Sequence, residues 1–351
     1  MKPTKRNRVE TRLAAPHAAP HARSKLPASF RRALLGWYDK NRRDLPWRAT
    51  TDPYRVWLSE IMLQQTRVSA VLDHYRRFLE RFPTIETLAA APEDAVLASW
   101  SGLGYYRRAR MLHRCAREIA NLNAGHFPRT AKALRVLPGI GRYTAAAVAS
   151  IAFREPVAVV DGNVERVLQR LAGRSLAQQD VWDRAQSLLD PSRPGDFNQA
   201  MMELGATVCL PREPRCLTCP VRASCAAQGE ISQPKPAPRQ QRKEIWCALD
   251  RHHEYVRLVR RPKNAALMAA MWELPLWPAP PDSAAVSWRT FRHSITVTDY
   301  NVHVLRNWLP KGKSPNGAAR VKRGKWVAIA DLPLLPITGL TRKILKADGI
   351  I

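Results

Sequence analysis

Leu137-Pro138-Gly139-Ile140-Gly141-Arg142-Tyr143 decides how this chain folds, and the run Thr144-Ala-Ala-Ala-Val-Ala-Ser-Ile-Ala-Phe153 follows it directly. Pro138 fixes one φ, while Gly139 and Gly141 accept backbone angles that other residues resist, so the stretch reads as a tight hairpin. The small residues behind it favour a helix that packs closely against its neighbours. A hairpin feeding a helix N-terminus turns N–H groups and the positive end of a helix dipole outward, which suits a phosphate. Asp161 lies further on, inside Val159-Val160-Asp161-Gly162-Asn163-Val164. A Gly-x-Gly turn alone says little; joined to a spaced Asp-Gly-Asn it says much more.

The setting is strongly basic: Lys and Arg number 57 against 29 Asp and Glu, a net charge of +28 over 351 residues. Such a surface suits nucleic acid or an anionic membrane, and the length allows two domains, each with its own core. No apolar run reaches the ~20 residues that span a bilayer. Residues 1–25 carry seven Lys or Arg against Glu10 alone and read as a disordered basic arm with no signal-peptide core. Four of the six cysteines cluster, which argues for a metal or cluster in a reducing compartment rather than disulfides. A cytoplasmic, nucleoid-associated location follows as an expectation, and a monomer is expected.

Upstream of the hairpin, Phe30, Leu34, Trp37 and Tyr38 fit an amphipathic helix from Leu26 to about Asp39. Asp52 followed by Pro53 reads as a helix start. That helix is expected to run on with Trp57, Ile61, Val68, Leu72, Tyr75 and Leu79 along one face. Glu60 sits beside the stripe, either as a paired core carboxylate or as a site group whose pKa burial would raise, as a general acid requires. Two further helices are expected from Arg81 to Asn123 around the turn Ser101-Gly-Leu-Gly-Tyr105, which leaves Tyr105 as an exposed aromatic or a core one. Gln199, within Asp196-Phe-Asn-Gln-Ala-Met-Met-Glu-Leu-Gly-Ala206, has donors and acceptors suited to an adenine edge. Cys209, Cys216, Cys219 and Cys225, separated by six, two and five residues, suit zinc or an iron–sulfur cluster. Arg212, Arg215 and Arg222 on the same loop suit phosphates.

Ala226 to Lys243 is rich in Pro and basic residues, with Ile231 as its one large apolar residue, and reads as a linker. Strand-like runs then recur at Ile245–Leu249, Tyr255–Val259, Val302–Leu305 and Trp326–Ile329, with a closing helix around Thr341–Lys346. The expected organisation is therefore a basic arm (1–25), a helical domain (26–225) whose cysteine loop spans 209–225, a linker (226–243) and an α/β domain (244–351).

The hairpin and Asp-Gly-Asn resemble the helix-hairpin-helix, Gly/Pro-Asp superfamily of base-excision DNA glycosylases. Trp57-Leu-Ser-Glu-Ile-Met-Leu-Gln-Gln-Thr66, Leu45-Pro-Trp-Arg48 and Gly102-Leu-Gly-Tyr-Tyr106 narrow the resemblance to adenine DNA glycosylases, the MutY family. The resemblance implies an all-helical helix-hairpin-helix domain with a [4Fe–4S] loop, one cluster per chain on the four cysteines, followed by a Nudix-like α/β domain. No Glu-rich pyrophosphatase box is visible there, so that domain should bind rather than hydrolyse. It implies double-stranded DNA with adenine opposite 8-oxoguanine or guanine as substrate and an abasic site as product. Glu60 would be the acid that protonates adenine, and Asp161 would stabilise the sugar cation. Asn163 and Tyr143 would orient the carboxylates or water, and Arg48 would line the base pocket. Gln65 and Tyr105 would enter the base stack, Gln199 would read a base, and Gly139 and Gly141 would face the DNA backbone.

The chain departs from the family where Phe-Ser-His reads the oxidised guanine. Aligning Arg292-His293 with the family's Arg-His pair puts Ile295, Thr296 and Val297 at those positions, so a hydroxyl survives at Thr296, with Ser294 beside it, and the histidine does not. Weaker discrimination is expected. The competing readings are an endonuclease III-like lyase on oxidised pyrimidines, which needs a lysine where this chain has Tyr143, a non-catalytic iron–sulfur DNA-binding protein, and a membrane-surface protein.

Overall fold

The computed structural model describes residues 28–122, 125–231, 241–281, 285–295, 297–307 and 324–351. The expected basic arm, residues 232–240 of the expected linker and Thr296 lie outside the described residues. Among the described residues eleven α-helices form the first domain: α1 (Ala28–Asn41), α2 (Pro53–Leu63), α3 (Val68–Arg81), α4 (Ile85–Ala90), α5 (Glu93–Ser99), α6 (Arg107–Leu122), α7 (Ala131–Leu134), α8 (Arg142–Phe153), α9 (Gly162–Ala172), α10 (Gln178–Leu188) and α11 (Pro194–Thr207).

Two of these differ from expectation. The single helix expected from Pro53 to Leu79 is two, because Gln65 takes a left-handed backbone conformation, φ 57°. After the break the buried face is Val71, Tyr75 and Phe78, and Leu72 turns outward. Between Arg81 and Asn123 there are three helices rather than two, since Ala91 and Pro92 separate α4 from α5. The start of α2 is as expected: Asp52 caps it, its carboxylate accepting from the Arg55 N–H at 2.9 Å, with Pro53 first in the helix.

The helices build two apolar cores. Trp57, Leu58, Phe78, Trp100, Leu112 and Val148 anchor one, within α2 to α8. Phe30, Leu34, Val167, Leu168, Phe197 and Leu204 anchor the other, within α1, α9 and α11. Each such side chain contributes about 1.5–3 kcal/mol on burial. Helix α2 is buried almost all round, so the only charged residue in its buried face, Glu60, is carried inside with it.

The second domain holds β1 (Gln241–Leu249), β2 (Arg251–His252), β3 (Tyr255–Arg260), β4 (Trp272–Glu273), β5 (Leu276–Trp277), β6 (Arg289–Ile295), β7 (Thr298–Arg306), β8 (Lys325–Ala328) and α12 (Gly339–Ala347). One sheet runs β5-β1-β7-β6, with β1 parallel to β7 from Gln241↔Thr298 to Leu249↔Arg306; a second runs β2-β3-β4, with β8 on β3. That long parallel pairing draws β1 back to Gln241, inside the stretch expected to be linker. Alternate residues Val302 and Val304 face the core, against Ile344 and Leu345 of α12.

The domains share an interior. Met271, from the second, is fully buried in the first helical core. The Ser101 and Tyr106 hydroxyls donate to the Ile337 carbonyl at 3.1 and 3.5 Å, and Arg260 clasps Asp94 at 2.8 and 2.7 Å.

Candidate active site

A cleft of about 1650 Å³ lies between the two helical cores and is closed on one side by the second domain. It is lined by Glu60, Asp161, Asn163, Tyr143, Arg48, Gln65, Tyr105, Gly139, Gly141, Gln199 and Ser294. Residues expected from scattered motifs thus share one cavity.

Glu60 enters from α2, 5% exposed, and Tyr143 enters from the first turn of α8. The alanine run of α8 lets the two helices approach closely. The Tyr143 hydroxyl donates to Oε2 of Glu60 at 2.5 Å and lies 3.4 Å from the Met202 sulfur. Burial pushes the Glu60 carboxyl up to about 7; the Tyr143 hydrogen bond pulls the other way, the charge of Asp161 adds to the rise, and Arg48 opposes it. Burial also pushes the Tyr143 phenol well above its ordinary value, with the charges of Glu60 and Asp161 contributing.

Asp161 comes from the other core, as the N-cap of α9. Its Oδ1 accepts from the Val164 N–H at 2.7 Å and its Oδ2 from the Asn163 amide at 3.0 Å. The helix N-terminus favours this negative charge. Gly205 of α11 is what lets the loop sit there: a Cβ on Gly205 would come within 2.6 Å of the Asn163 Cβ.

Arg48 lines the cleft, but its guanidinium is committed to Glu203 at 2.7 Å and to the Arg43 carbonyl at 3.1 Å, above the Tyr38 ring. Glu203 was not singled out in the sequence. Burial would raise its carboxyl, yet bonds from Arg43 and Arg48 hold it down at about 2. One charged residue inside Met201-Met202-Glu203-Leu204 was the available signal.

The hairpin holds one surprise. Gly139 has φ 77°, and a Cβ there would meet Met111 at 2.8 Å, so glycine is required. Gly141 has φ −84°, which any residue adopts, and open space around it.

Gln65 and Tyr105 are both exposed on the lip of the cleft, Tyr105 at φ 48°. On the opposite wall the second domain presents His293, Ser294 and Ile295, where β6 turns into β7. Of the residues expected to read the base, Ser294 lines the cleft and Thr296 lies outside the described residues; of the other two motif positions, Ile295 lines the cleft and Val297 is not among the lining residues. The Ser294 hydroxyl donates to Asp299. His293, half-buried with its imidazole lowered by burial and by Lys343, also lines the cleft, although the sequence offered it only as half of the Arg-His pair and gave it no role of its own.

The four loop cysteines are free and partly buried; Cys209, Cys219 and Cys225 pack against the second helical core. Burial raises the Cys219 thiol, and Cys209, Cys225 and Cys216 raise it further, so the sulfurs are neighbours. Arg170 Nη1 lies 3.3 Å from the Cys209 sulfur, and Arg166 donates to the Cys209 carbonyl at 2.9 Å. Among the described residues no three His, Cys, Asp or Glu side chains form a closed ligand set for one metal ion. Four soft thiols beside two guanidinium groups nevertheless suit an anionic group larger than one ion.

A family described as HhH-GPD superfamily base excision DNA repair protein matches residues 58–187. The chain is 50% identical over 220 residues to an adenine DNA glycosylase of Rattus norvegicus, covering 58% of this chain and 43% of that protein. It is 37% identical over 382 aligned positions to an adenine DNA glycosylase of Arabidopsis thaliana, covering 91% of this chain and 59% of that one. The chain therefore spans about half the length of the curated relatives it matches. Among solved structures, a thermostable thymine-DNA glycosylase aligns with a TM-score of 0.53 and 33% identity, over 56% of this chain and 93% of that one.

Proposed function

The chain belongs to the HhH-GPD superfamily of base excision DNA repair proteins, and on that footing we propose that it is a monofunctional adenine DNA glycosylase acting on adenine opposite 8-oxoguanine or guanine. The observation that carries this reading is Glu60, a buried carboxyl held at about 7 in the same cleft as Asp161. Breaking an N-glycosidic bond needs a proton for the departing base and a negative charge beside the forming sugar cation. Glu60 is protonated in a large part of the molecules near neutral pH and gives its proton to a ring nitrogen of the extruded adenine. The base takes the bonding electrons, water adds to the sugar cation and gives up a proton to the Glu60 carboxylate, and an abasic site remains. Asp161, fixed through both oxygens, stabilises the cation, and Asn163 and Tyr143 keep the carboxylates in place. Gln199 faces the base, with Arg48 behind it.

The base must leave the stack first, which assigns Gln65 and Tyr105 to the space it vacates. Gly139 and Gly141 meet the phosphate backbone at the start of α8. Cys209, Cys216, Cys219 and Cys225 hold a [4Fe–4S] cluster, and the arginines around them face phosphates. The Nudix-like second domain reads the opposite base through the end of β6, with His293 and Ser294 toward the cleft, and the hydroxyl that survives in the altered motif is that of Thr296. Because the family's Phe-Ser-His is altered, preference for 8-oxoguanine over guanine is expected to be weaker than in relatives that keep it. Losing one such contact weakens discrimination by about 1–3 kcal/mol.

Single-turnover cleavage of duplexes with adenine opposite 8-oxoguanine, guanine, cytosine or thymine, beside one carrying an oxidised pyrimidine, tests the reading. Excision of adenine opposite the two purines, with strand breaks only after alkali, supports it. Excision of the oxidised pyrimidine with efficient borohydride trapping points to the lyase relative instead.

A further inference from the structure

Gln65 and Tyr105 come from different segments, the break between α2 and α3 and the turn before α6. Each holds a backbone angle that side chains resist, φ 57° and 48°. Such angles persist only where the surroundings enforce them.

One side chain reaches both. Arg108, in the first turn of α6, donates through Nη1 to the carbonyls of Ile61, Met62 and Gln64 at 2.8, 3.0 and 2.5 Å. Through Nη2 it donates to Thr66 Oγ1 at 3.1 Å and to the carbonyls of Leu103 and Gly104 at 3.3 and 3.4 Å. The carbonyls immediately before both left-handed residues, Gln64 and Gly104, thus accept from the same guanidinium. Its plane also lies over the Tyr105 ring at 5.4 Å and the Trp100 ring at 5.5 Å. The last carbonyls of α2 have no partner within their helix, and a cation at that end is favoured by the dipole. Burial lowers the guanidinium to about 10, which leaves it charged at neutral pH. A lysine ammonium has no planar fork with which to span two separate turns.

We propose that Arg108 is a positioning residue that locks Gln65 and Tyr105 into one preformed wedge, so that both enter the duplex together when the base is extruded. This rests on the reading of Gln65 and Tyr105 as stack-entering residues. It requires that Arg108 matter for extrusion and not for the chemical step.

The test uses full-length Arg108→Lys and Arg108→Ala in single-turnover excision. One duplex has adenine paired opposite guanine; in the other the adenine faces an abasic position and is already unpaired. Loss of a fork that places two side chains is expected to slow the paired substrate on the order of tenfold or more. The unpaired substrate should be cleaved within a small factor of wild type, and Lys should not restore the rate. In a Glu60→Gln background, fluorescence of 2-aminopurine at the target position should show less extrusion with Arg108→Lys than without it. A Gln65→Ala, Tyr105→Ala protein should lose little more when Arg108→Lys is added, because the three act as a unit. Equal loss on both duplexes together with a lower Tm, or unchanged extrusion, overturns the proposal. If the wild type excises no adenine, the functional reading fails, while the 2-aminopurine signal still decides on Arg108.

Discussion

The Tyr143 hydroxyl donates to Oε2 of Glu60 at 2.5 Å, and the bond ties the first turn of α8 to the buried face of α2. It lowers the carboxyl against a larger rise from burial, so Glu60 changes charge near pH 7 while Tyr143 stays a neutral donor. The two residues set the acidity of the cleft together.

Replacing Tyr143 should therefore move that balance. In Tyr143→Phe the hydrogen bond that favours the ionised carboxyl is gone, so the Glu60 pKa rises. The alkaline limb of the single-turnover rate against pH, expected near 7 in wild type, should shift upward. A limb that stays in place or moves down contradicts the assignment of Glu60 as the titrating group.

Glu60 also costs stability where it is ionised. Its folded pKa, about 7, lies above the ordinary 4.5, so the folded state binds the extra proton between those values. Stability from this group is complete below pH 4.5 and is lost as pH rises through about 7. The gap corresponds to a few kcal/mol, on the order of 1–3 after relaxation of the site. Glu60→Gln should melt higher than wild type at pH 8.5 by several degrees and close to it at pH 5. Equal Tm differences at both pH values would show that the carboxyl is not held up by burial.

Glu203 behaves in the opposite sense. Held at about 2 against an ordinary 4.5, it stabilises the fold fully above pH 4.5 and loses this as pH falls toward 2. Glu203→Gln leaves Arg48, itself largely buried, without its counter-charge. A cost of about 2–4 kcal/mol is expected at pH 7, less than for a wholly buried pair because Arg43 is partly in water. Urea unfolding at pH 7 and pH 3 measures it; the wild-type advantage should shrink at the lower pH, and a constant difference would be inconsistent with the pairing.

Much of this was legible in the chain, for identifiable reasons. The hairpin is specified locally by Pro138 and Gly139, and the start of α2 by Asp52 and Pro53, so neither waits on tertiary contacts. The break at Gln65 was not legible, because apolar residues keep helical spacing across it and no Gly or Pro marks it. What enforces it is Arg108, far along the chain, one of several arginines in Tyr105-Tyr-Arg-Arg-Ala-Arg110 with nothing to distinguish it. Met271 falls within the span expected to be the second domain, 244–351, yet it fills the core of the first. Periodicity reports which side of an element is buried, never against what. Gly141 misled in the other direction: its φ needs no glycine, and the space beside it is the informative feature.

The cysteine loop gives a compositional prediction. Anaerobically purified protein should be brown and contain about four irons per chain. Substituting Ser at any of Cys209, Cys216, Cys219 or Cys225 should lower the iron content, whereas Cys115→Ser and Cys247→Ser, at buried core positions, should leave it unchanged. One zinc and no iron would overturn the cluster assignment.

The most direct test of the account is single-turnover excision of adenine opposite 8-oxoguanine by wild type, Glu60→Gln and Asp161→Asn, with duplex binding measured on the same preparations. Wild type should release adenine, and both variants should bind the duplex at least as tightly, since removing a negative charge does not weaken phosphate contacts, while releasing essentially none. Near-wild-type rates in either variant would contradict the division of labour between Glu60 and Asp161.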